Sequence, residues 1–508
     1  MSNQTDAAPP LAPDLREVLK RLTGDTLIYG LGTIISRAIS FFLLPLYTRM
    51  LAPAEYAQVD VLLTFNSILV IIAILGIDSG LALIFQIEDQ ARQRRVITSN
   101  LLFQFIWSCL LTGGLVLWST PISKALLGQP NLAGLTVLML LMLPLQGLFA
   151  FSQNLHKWKH EPVRFAFITM GLSLLVAVLN LILVISLGLG AKGVLLGMLL
   201  SYAAFAVIGL WSVSRHLAAG FALGDVRAVM ALGIPFALAG AVNMLLPNIN
   251  RIFLVNLVGL SHTGVYAAGL KICSVLLFLD ITFNITYYPY ALSIQQLPGV
   301  NSIYAAVSRV YALIGMAAAT CMFLFAYPLV QLIVGSPKYF GASKLVGPLL
   351  LALWIGSLRT TFGLGLLIAR KTYHLIWAYG VTALLSLPVN FILIKTWGIQ
   401  GAAYATVCIE LILTGAVFLT NQRQYFIPFE VKPLVFLGLA YLVLMLLIDL
   451  SPFPQLTGHL GVRSLAVALF LVIISRYSGA IQRDEISETM AILRRAISRG
   501  TGGPEQKP

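Results

Sequence analysis

Charged side chains are scarce in this sequence. They make up 10% of its 508 residues, and 58% are hydrophobic, whereas soluble domains carry about 25% charged residues. With a mean hydropathy of +0.90, the chain is excluded from the soluble classes and reads as a polytopic membrane protein. Cysteine is scarce too. The four, Cys109, Cys273, Cys321 and Cys408, all fall inside apolar segments. They have neither paired loop spacing nor metal-ligand spacing, which excludes a disulfide framework and a cysteine-held metal. Histidine adds little: His156 and His160 stand four apart in "HKWKH", but Lys157 and Lys159 beside them repel a metal cation. Long loops are missing, so no extramembrane domain is expected. No Walker-type loop, G-x-S-x-G elbow or paired-carboxylate loop occurs. "GLGAKG" (188–193) fits G-x-G-x-x-G, yet it joins two apolar runs with no strand before it, so its glycines read as a tight turn and not a nucleotide site. No catalytic residue, cofactor or metal is expected, and the protein is not expected to be an enzyme.

What is present is a succession of apolar runs long enough to cross a bilayer, about fourteen of them. They cover 26–47, 57–84, 96–118, 132–153, 165–187, 194–213, 229–255, 264–292, 302–326, 346–369, 373–395, 399–420, 432–450 and 461–477. Residues 1–25 hold Asp6, Asp14 and Glu17 and no apolar core, so no cleavable signal peptide is expected and the opening span is retained. Both ends carry amphipathic patterns. "DLREVLKRL" aligns Leu15, Val18, Leu19 and Leu22, and "ISETMAILRRAISR" aligns Ile486, Met490, Leu493 and Ile497 beside Arg494, Arg495 and Arg499. These suit helices lying on an anionic leaflet.

The net charge of +14 invites a nucleic-acid reading, which fails once the charges are placed on the spans. With the N-terminus inside, the cytoplasmic connections and tails hold about 21 basic residues against about seven outside, the bias expected of inner-leaflet loops. The seven are Arg49, Lys124, Lys192, Lys338, Lys344, Lys395 and Arg463. Both termini are therefore expected in the cytoplasm. The remaining basic residues, Arg37, Arg251, Lys271, Arg309 and Arg359, lie within spans. An arginine at the centre of a membrane helix costs roughly 2.5–3.5 kcal/mol on insertion scales, which makes it a functional candidate.

Arg37 sits at the midpoint of the first span, on one face with Gly30, Thr33, Ser40 and Tyr47. A small-residue packing stripe accounts for Gly30, Thr33 and Ser40 but not for Arg37. Asp280 and Glu410 lie near mid-depth in the second half, where Arg359 can pair with either. Asp60 lies near the outer end of its span and Asp78 near the inner end. Arg37 has no mid-depth carboxylate in its own half, so it either reaches across a cleft or faces water and awaits an anion; we favour the anion. Prolines at 45, 144, 235, 247, 289 and 388 predict kinks, as hinges or as packing bends.

The chain also repeats itself. "LNLILVISLGLGAKGVLLGMLLSY" (179–202) parallels "VNFILIKTWGIQGAAYATVCIEL" (389–411), with Asn180 and Asn390 opening each and Gly190/Gly193 matching Gly398/Gly401. "MLAPAEYAQVDVLL" echoes "GLSHTGVYAAGLKI". The offsets, all about 200–210 residues, separate copies of equal orientation, which predicts two parallel six-helix repeats around a central cleft. The expected organisation is an amphipathic segment (1–25), two six-helix lobes (26–213 and 214–420), helices 13 and 14 (421–480) and an amphipathic tail (481–508).

"LLPLYTRMLAPAEYA" (43–57), "GVYAAGLKI" (264–272) and the N-x-x-L…G-x-x-G-A endings resemble the Wzx-type polysaccharide flippases, polysaccharide biosynthesis proteins of the multidrug/oligosaccharidyl-lipid/polysaccharide exporter superfamily. Ala57 replaces a common Gly, and Asn250-Arg251 replaces a common Asp-Arg pair. The resemblance covers about residues 20–420. It implies an all-α fold of fourteen helices, alternating access in a bacterial inner membrane, and export of an undecaprenyl-pyrophosphate-linked oligosaccharide for surface polysaccharide, with other polysaccharide assembly proteins as candidate partners. It also implies cavity arginines near the pyrophosphate, matched by Arg37 and Arg251, and a lipid-tail groove at helices 13 and 14. The residue types agree, because a pyrophosphate wants guanidinium forks. Arg359 and Lys271 are further candidates, Asn243, Asn248, Asn284, Tyr287 and Tyr288 are candidate sugar partners, and Asp280 and Glu410 are coupling or ion-pair residues. Interhelical hydrogen bonding competes for each polar side chain. Alternatives are a flippase for a peptidoglycan or teichoic precursor, a drug/cation antiporter, and a membrane glycosyltransferase or polymerase.

Overall fold

Apolar runs bounded by Gly, Pro and charge become helices because a bilayer offers no partner for free backbone groups. The computed structural model describes residues 15–84, 89–218, 220–371 and 373–449, and among them there are helices and no strand. Helix fills every expected span up to residue 449; the interval 461–477 and the C-terminal amphipathic segment lie outside the described residues. By length and apolarity nine helices among the described residues suit a membrane crossing, or ten when the bent pair Leu260–Cys273 and Leu276–Ser293, angled by 45°, counts as one. The protein is an all-α polytopic membrane protein.

Helix runs without a break from Leu15 to Met50, so the end of the N-terminal amphipathic pattern and the first span belong to one helix. At 1.5 Å per residue it is about 54 Å long, well beyond the ~30 Å hydrocarbon core. The basic amphipathic turns are thus an extension of the helix that carries Arg37.

The chain forms two compact units. Unit 1 comprises the chain up to Leu43, Asn66–Ser119 and Gly134–Leu238. Its core gathers Ile77, Leu81, Ile97, Phe151, Leu155, Val213 and Val229, with a second cluster at Phe149, Ile168, Leu172 and Phe205. Buried amides fasten its helices to neighbouring carbonyls. Asn66 donates to Met139 at 3.2 Å and Gln104 to Gly147 at 2.9 Å, the kind of interhelical bond that substitutes for hydrophobic drive in lipid.

Unit 2 comprises Leu44–Phe65, Thr120–Ala133 and the chain from Ala239 onward. Its clusters are Tyr287, Ile294, Tyr304, Leu364 and Ile427 and Leu246, Ala378, Ile409, Leu413 and Val417. The echo segments meet directly here, since Gly264 lies against the Pro53 carbonyl.

The repeated Asn and Gly-x-x-Gly elements share backbone geometry. Gly190 and Gly398 both have positive φ, 55° and 58°, a conformation that L side chains avoid. Gly193 and Gly401 then turn a bare Cα against the carbonyls of Leu183 and Leu393. Asn180 and Asn390 are both fully buried.

Candidate functional site

Unit 2 contains a charged cavity of about 320 Å³. It forms where helical periodicity turns several polar residues toward one space. The helix Pro53–Ile74 contributes Asp60. The turn Leu246–Asn248 and the helix Ile249–Leu257 contribute Asn248 and Arg251, three residues apart and so on one face. Ala267, Leu270, Lys271 and Ser274 line it at intervals of three and four along and just past Leu260–Cys273. Thr406 and Glu410, four apart beyond the Gly398 break, close another side.

Arg251 is 7% exposed. Its Nε donates to Asp60 Oδ2 at 2.7 Å and its Nη1 to Asn248 Oδ1, also at 2.7 Å. A buried guanidinium held this way is neutralised and oriented, because charge-assisted bonds satisfy a fork that lipid cannot. The adjacent Asn250 donates to Tyr266 and Thr406 hydroxyls, and these two hydroxyls bond each other at 3.0 Å. Tyr266 and Thr406 both reach the cavity wall.

Glu410 faces the cavity while its Oε2 accepts from Arg359 Nη1. Arg359 therefore resolves its two options in favour of Glu410. Asp280 is occupied otherwise, accepting from the Tyr311 hydroxyl at 2.8 Å and the Thr360 hydroxyl at 3.3 Å. Counting Arg359 through Glu410, the cations Arg251, Lys271 and Arg359 meet the carboxylates Asp60 and Glu410.

The cavity thus brings together Arg251, Lys271 and Glu410, and Asn248 with them. It does not include Arg359, Asp280, Asn284, Tyr287 or Arg37. Tyr287 is buried and stacks on Phe283, which stacks in turn on Tyr311, with centroids 4.7 and 3.9 Å apart. The Tyr287 hydroxyl and Asn284 Oδ1 are buried without a hydrogen-bond partner among the described residues. The backbone of Asn243 lies in the helix Leu223–Leu245; its side chain lies outside the described residues.

Arg37 belongs to unit 1. It is exposed, as is Ser40 one turn along. Among the described residues it has no ion pair or hydrogen bond. The hydroxyls of Thr33 and Ser40 are spent on carbonyls of their own helix, at 2.9 and 3.0 Å. Sequence reasoning had paired only mid-depth charges, and so it missed Asp60 as the partner of Arg251. Their shared position near outer span ends was the available signal. Tyr266 carried no signal beyond the echo in "GVYAAGLKI", and Thr406 none beyond its place in the repeated stretch 389–411.

The profile of the polysaccharide biosynthesis protein family matches residues 22–295. A curated relative, the succinoglycan biosynthesis transport protein ExoT of Rhizobium meliloti (strain 1021), is 27% identical over 264 residues, 51% of this chain and 50% of that protein. The match spans about half of that relative's length. Among solved structures, the lipid II flippase MurJ in an inward closed conformation has a TM-score of 0.70 at 15% identity, covering 91% of this chain and all of that one. An inward-facing multidrug resistance MATE family transporter of the MOP superfamily scores 0.61 at 16% identity, over 77% of this chain and 94% of that one. At these identities the structural likeness is one of fold.

Proposed function

Since this chain belongs to the polysaccharide biosynthesis protein family, we propose that it carries a polyprenyl-pyrophosphate-linked oligosaccharide from the inner to the outer leaflet of a bacterial inner membrane by alternating access. The observation that carries the reading is the unit 2 cavity. Arg251, Lys271, Asn248 and Thr406 converge there within otherwise apolar helices. A diphosphate needs charge-assisted donors, and it can exchange for Asp60 or Glu410 at a guanidinium without leaving a buried charge bare. Hydroxyl and amide groups on the same wall suit the adjoining sugar. Arg37, in unit 1, and Asn284 and Tyr287 lie outside this cavity and are proposed as separate polar contacts for the cargo. The loops rich in Lys and Arg face the cytoplasm, where such a lipid is loaded.

Binding by the purified protein in detergent tests this. An undecaprenyl-pyrophosphoryl glycan is expected to bind better than undecaprenyl phosphate or a hydrophobic cation. Lys271→Ala should weaken binding by about tenfold, the loss of one hydrogen bond to a charged group. Preference for the cation overturns the proposal. Equal binding of a lipid-linked peptidoglycan precursor moves the assignment to another anionic lipid.

A further inference from the structure

Three basic connections of unit 1 converge. At the end of the helix Ala133–Trp158, His156 lies 2.6 Å from Glu161, just before Pro162–Asn180, and 2.8 Å from Ser212, near the end of Gly190–Val213. The chain beyond that last helix is laid on Gln90–Leu117. The Ala218 and Ala222 amides donate to the Thr98 and Ser99 hydroxyls at 2.9 and 3.0 Å. Between them, a Cβ on Gly220 would meet the Arg95 side chain at 3.9 Å. These bonds bring Arg94, Lys159 and His216 from three separate connections to one spot, with His216 within electrostatic reach of the other two.

Such crowding is unfavourable by itself. Burial holds the Lys159 ammonium below the usual lysine value, with Glu161 pulling it up and Arg94 pushing it further down. Arg92, Arg94 and Arg95 stand in the opening turns of their helix, where the dipole disfavours cations. The nearby acids are spent: Glu161 on His156 and Arg164, Asp225 on Arg95, and Asp89 on the Ala91 amide that it caps. Among the described residues no acid pairs with Arg94. A bias of cations toward one side of the membrane accounts for the sign of these connections but not for their meeting. An anion resting on the cluster would offset the repulsion.

The neighbouring surface indicates which anion. Trp211, four residues before Arg215, and Val163 and Phe167, flanking Arg164, are exposed on helices apolar and long enough to cross the membrane. Side chains suited to lipid therefore stand within a turn of cations beside the cluster. We propose that Arg94, Lys159 and His216 form a site for the phosphate headgroup of an anionic phospholipid, in the leaflet that these connections face. The bound headgroup fastens the chain after Gly190–Val213 to Gln90–Leu117. Guanidinium and ammonium groups supply the charge-assisted donors that a phosphodiester accepts, and the apolar flank receives its acyl chains.

The test needs no glycan, so its outcome is separate from that of the transport proposal. Native mass spectrometry of the full-length protein in detergent counts bound lipid as dioleoyl phosphatidylglycerol or dioleoyl phosphatidylcholine is added. Phosphatidylglycerol is expected to fill one site first, about tenfold more tightly than phosphatidylcholine. Arg94→Gln and Lys159→Gln should each weaken that site by about fivefold, the worth of one basic residue at an anionic surface. Lys338→Gln, exposed in unit 2, should leave it unchanged. In nanodiscs, amide exchange at 214–218 and 220–224 should be slower with phosphatidylglycerol than with phosphatidylcholine, and Arg94→Gln should remove the difference. Equal binding of the two lipids, or an equal loss in Lys338→Gln, overturns the proposal. Inorganic pyrophosphate that displaces phosphatidylglycerol at equal concentration overturns the lipid as occupant and makes the ligand a soluble phosphate. If Arg94→Gln does not fold, Lys159→Gln decides: an unweakened site there overturns the proposal.

Discussion

Arg37 and Arg251 are the same residue type in the same kind of helix, and their surroundings treat them differently. Arg251 spends its fork on Asp60 and Asn248, while Arg37 is exposed with no ion pair among the described residues. If Arg37 serves an anionic cargo, Arg37→Ala should abolish surface glycan export at unchanged membrane abundance, and Arg37→Lys should restore only part of it, since the planar fork is lost. Export assayed in cells lacking the native copy, with immunoblotting of membranes, checks this; full export by the alanine variant removes Arg37 from the site. At Arg251 the expectation is structural. Removing one partner of a buried pair strands a charge and costs about 3–5 kcal/mol. Asp60→Ala should lower the unfolding temperature sharply, and Asp60→Leu combined with Arg251→Met should recover much of the loss. A thermal double-mutant cycle showing simple additivity would contradict that pairing. The sequence could rank arginines by depth and so link Arg359 to Glu410 or Asp280. It could not choose between those acids or see Asp60, because ion pairing depends on helix rotation, which an all-round apolar helix does not encode in its pattern.

Helix positions were legible because apolar length alone specifies them. Their breaks were less so, since Pro and Gly mark bends without saying how sharp. The Gly-x-x-Gly elements are the exception: Gly190 and Gly398 stood out in the sequence, and each takes a positive φ. The continuity of Leu15–Met50 was missed because the polar residues before Thr26 read as a boundary, although polar residues do not by themselves end a helix. Close crossings make the sharpest test at this scale. A Cβ at Gly264 would overlap the Pro53 carbonyl, whereas at Gly113, within Gln90–Leu117, it meets nothing within 4 Å. Gly264→Ala should therefore reduce folded protein in the membrane, since backbone cannot yield as a side-chain tip can. Gly113→Ala should leave it unchanged or raise stability by up to about 1 kcal/mol, the helix propensity difference. Size-exclusion profiles of the two variants in detergent decide the matter; matching profiles would mean that the crossing yields.

At the scale of the whole molecule, the +14 charge is chiefly a statement about orientation. Positive loops tend to be retained on the cytoplasmic side, so the bias carries an expectation about which end of each helix a lipid meets first. The repeat adds a second constraint: copies about 200–210 residues apart share orientation only if an even number of crossings separates them. The two constraints can be checked together at matched points. Lys192, exposed just after the positive-φ Gly190, and Lys395, exposed just before the positive-φ Gly398, flank the matched turn of the two copies, while Lys159 and Arg370 belong to the basic loops preceding them. In a cysteine-free background, Lys192→Cys and Lys395→Cys should react with a membrane-impermeant maleimide in intact cells, and Lys159→Cys and Arg370→Cys only after lysis. The reverse pattern would invert the orientation and with it the direction of transport. Labelling of only one outer site would break the parallel repeat, because a parallel pair cannot show equivalent turns on opposite faces.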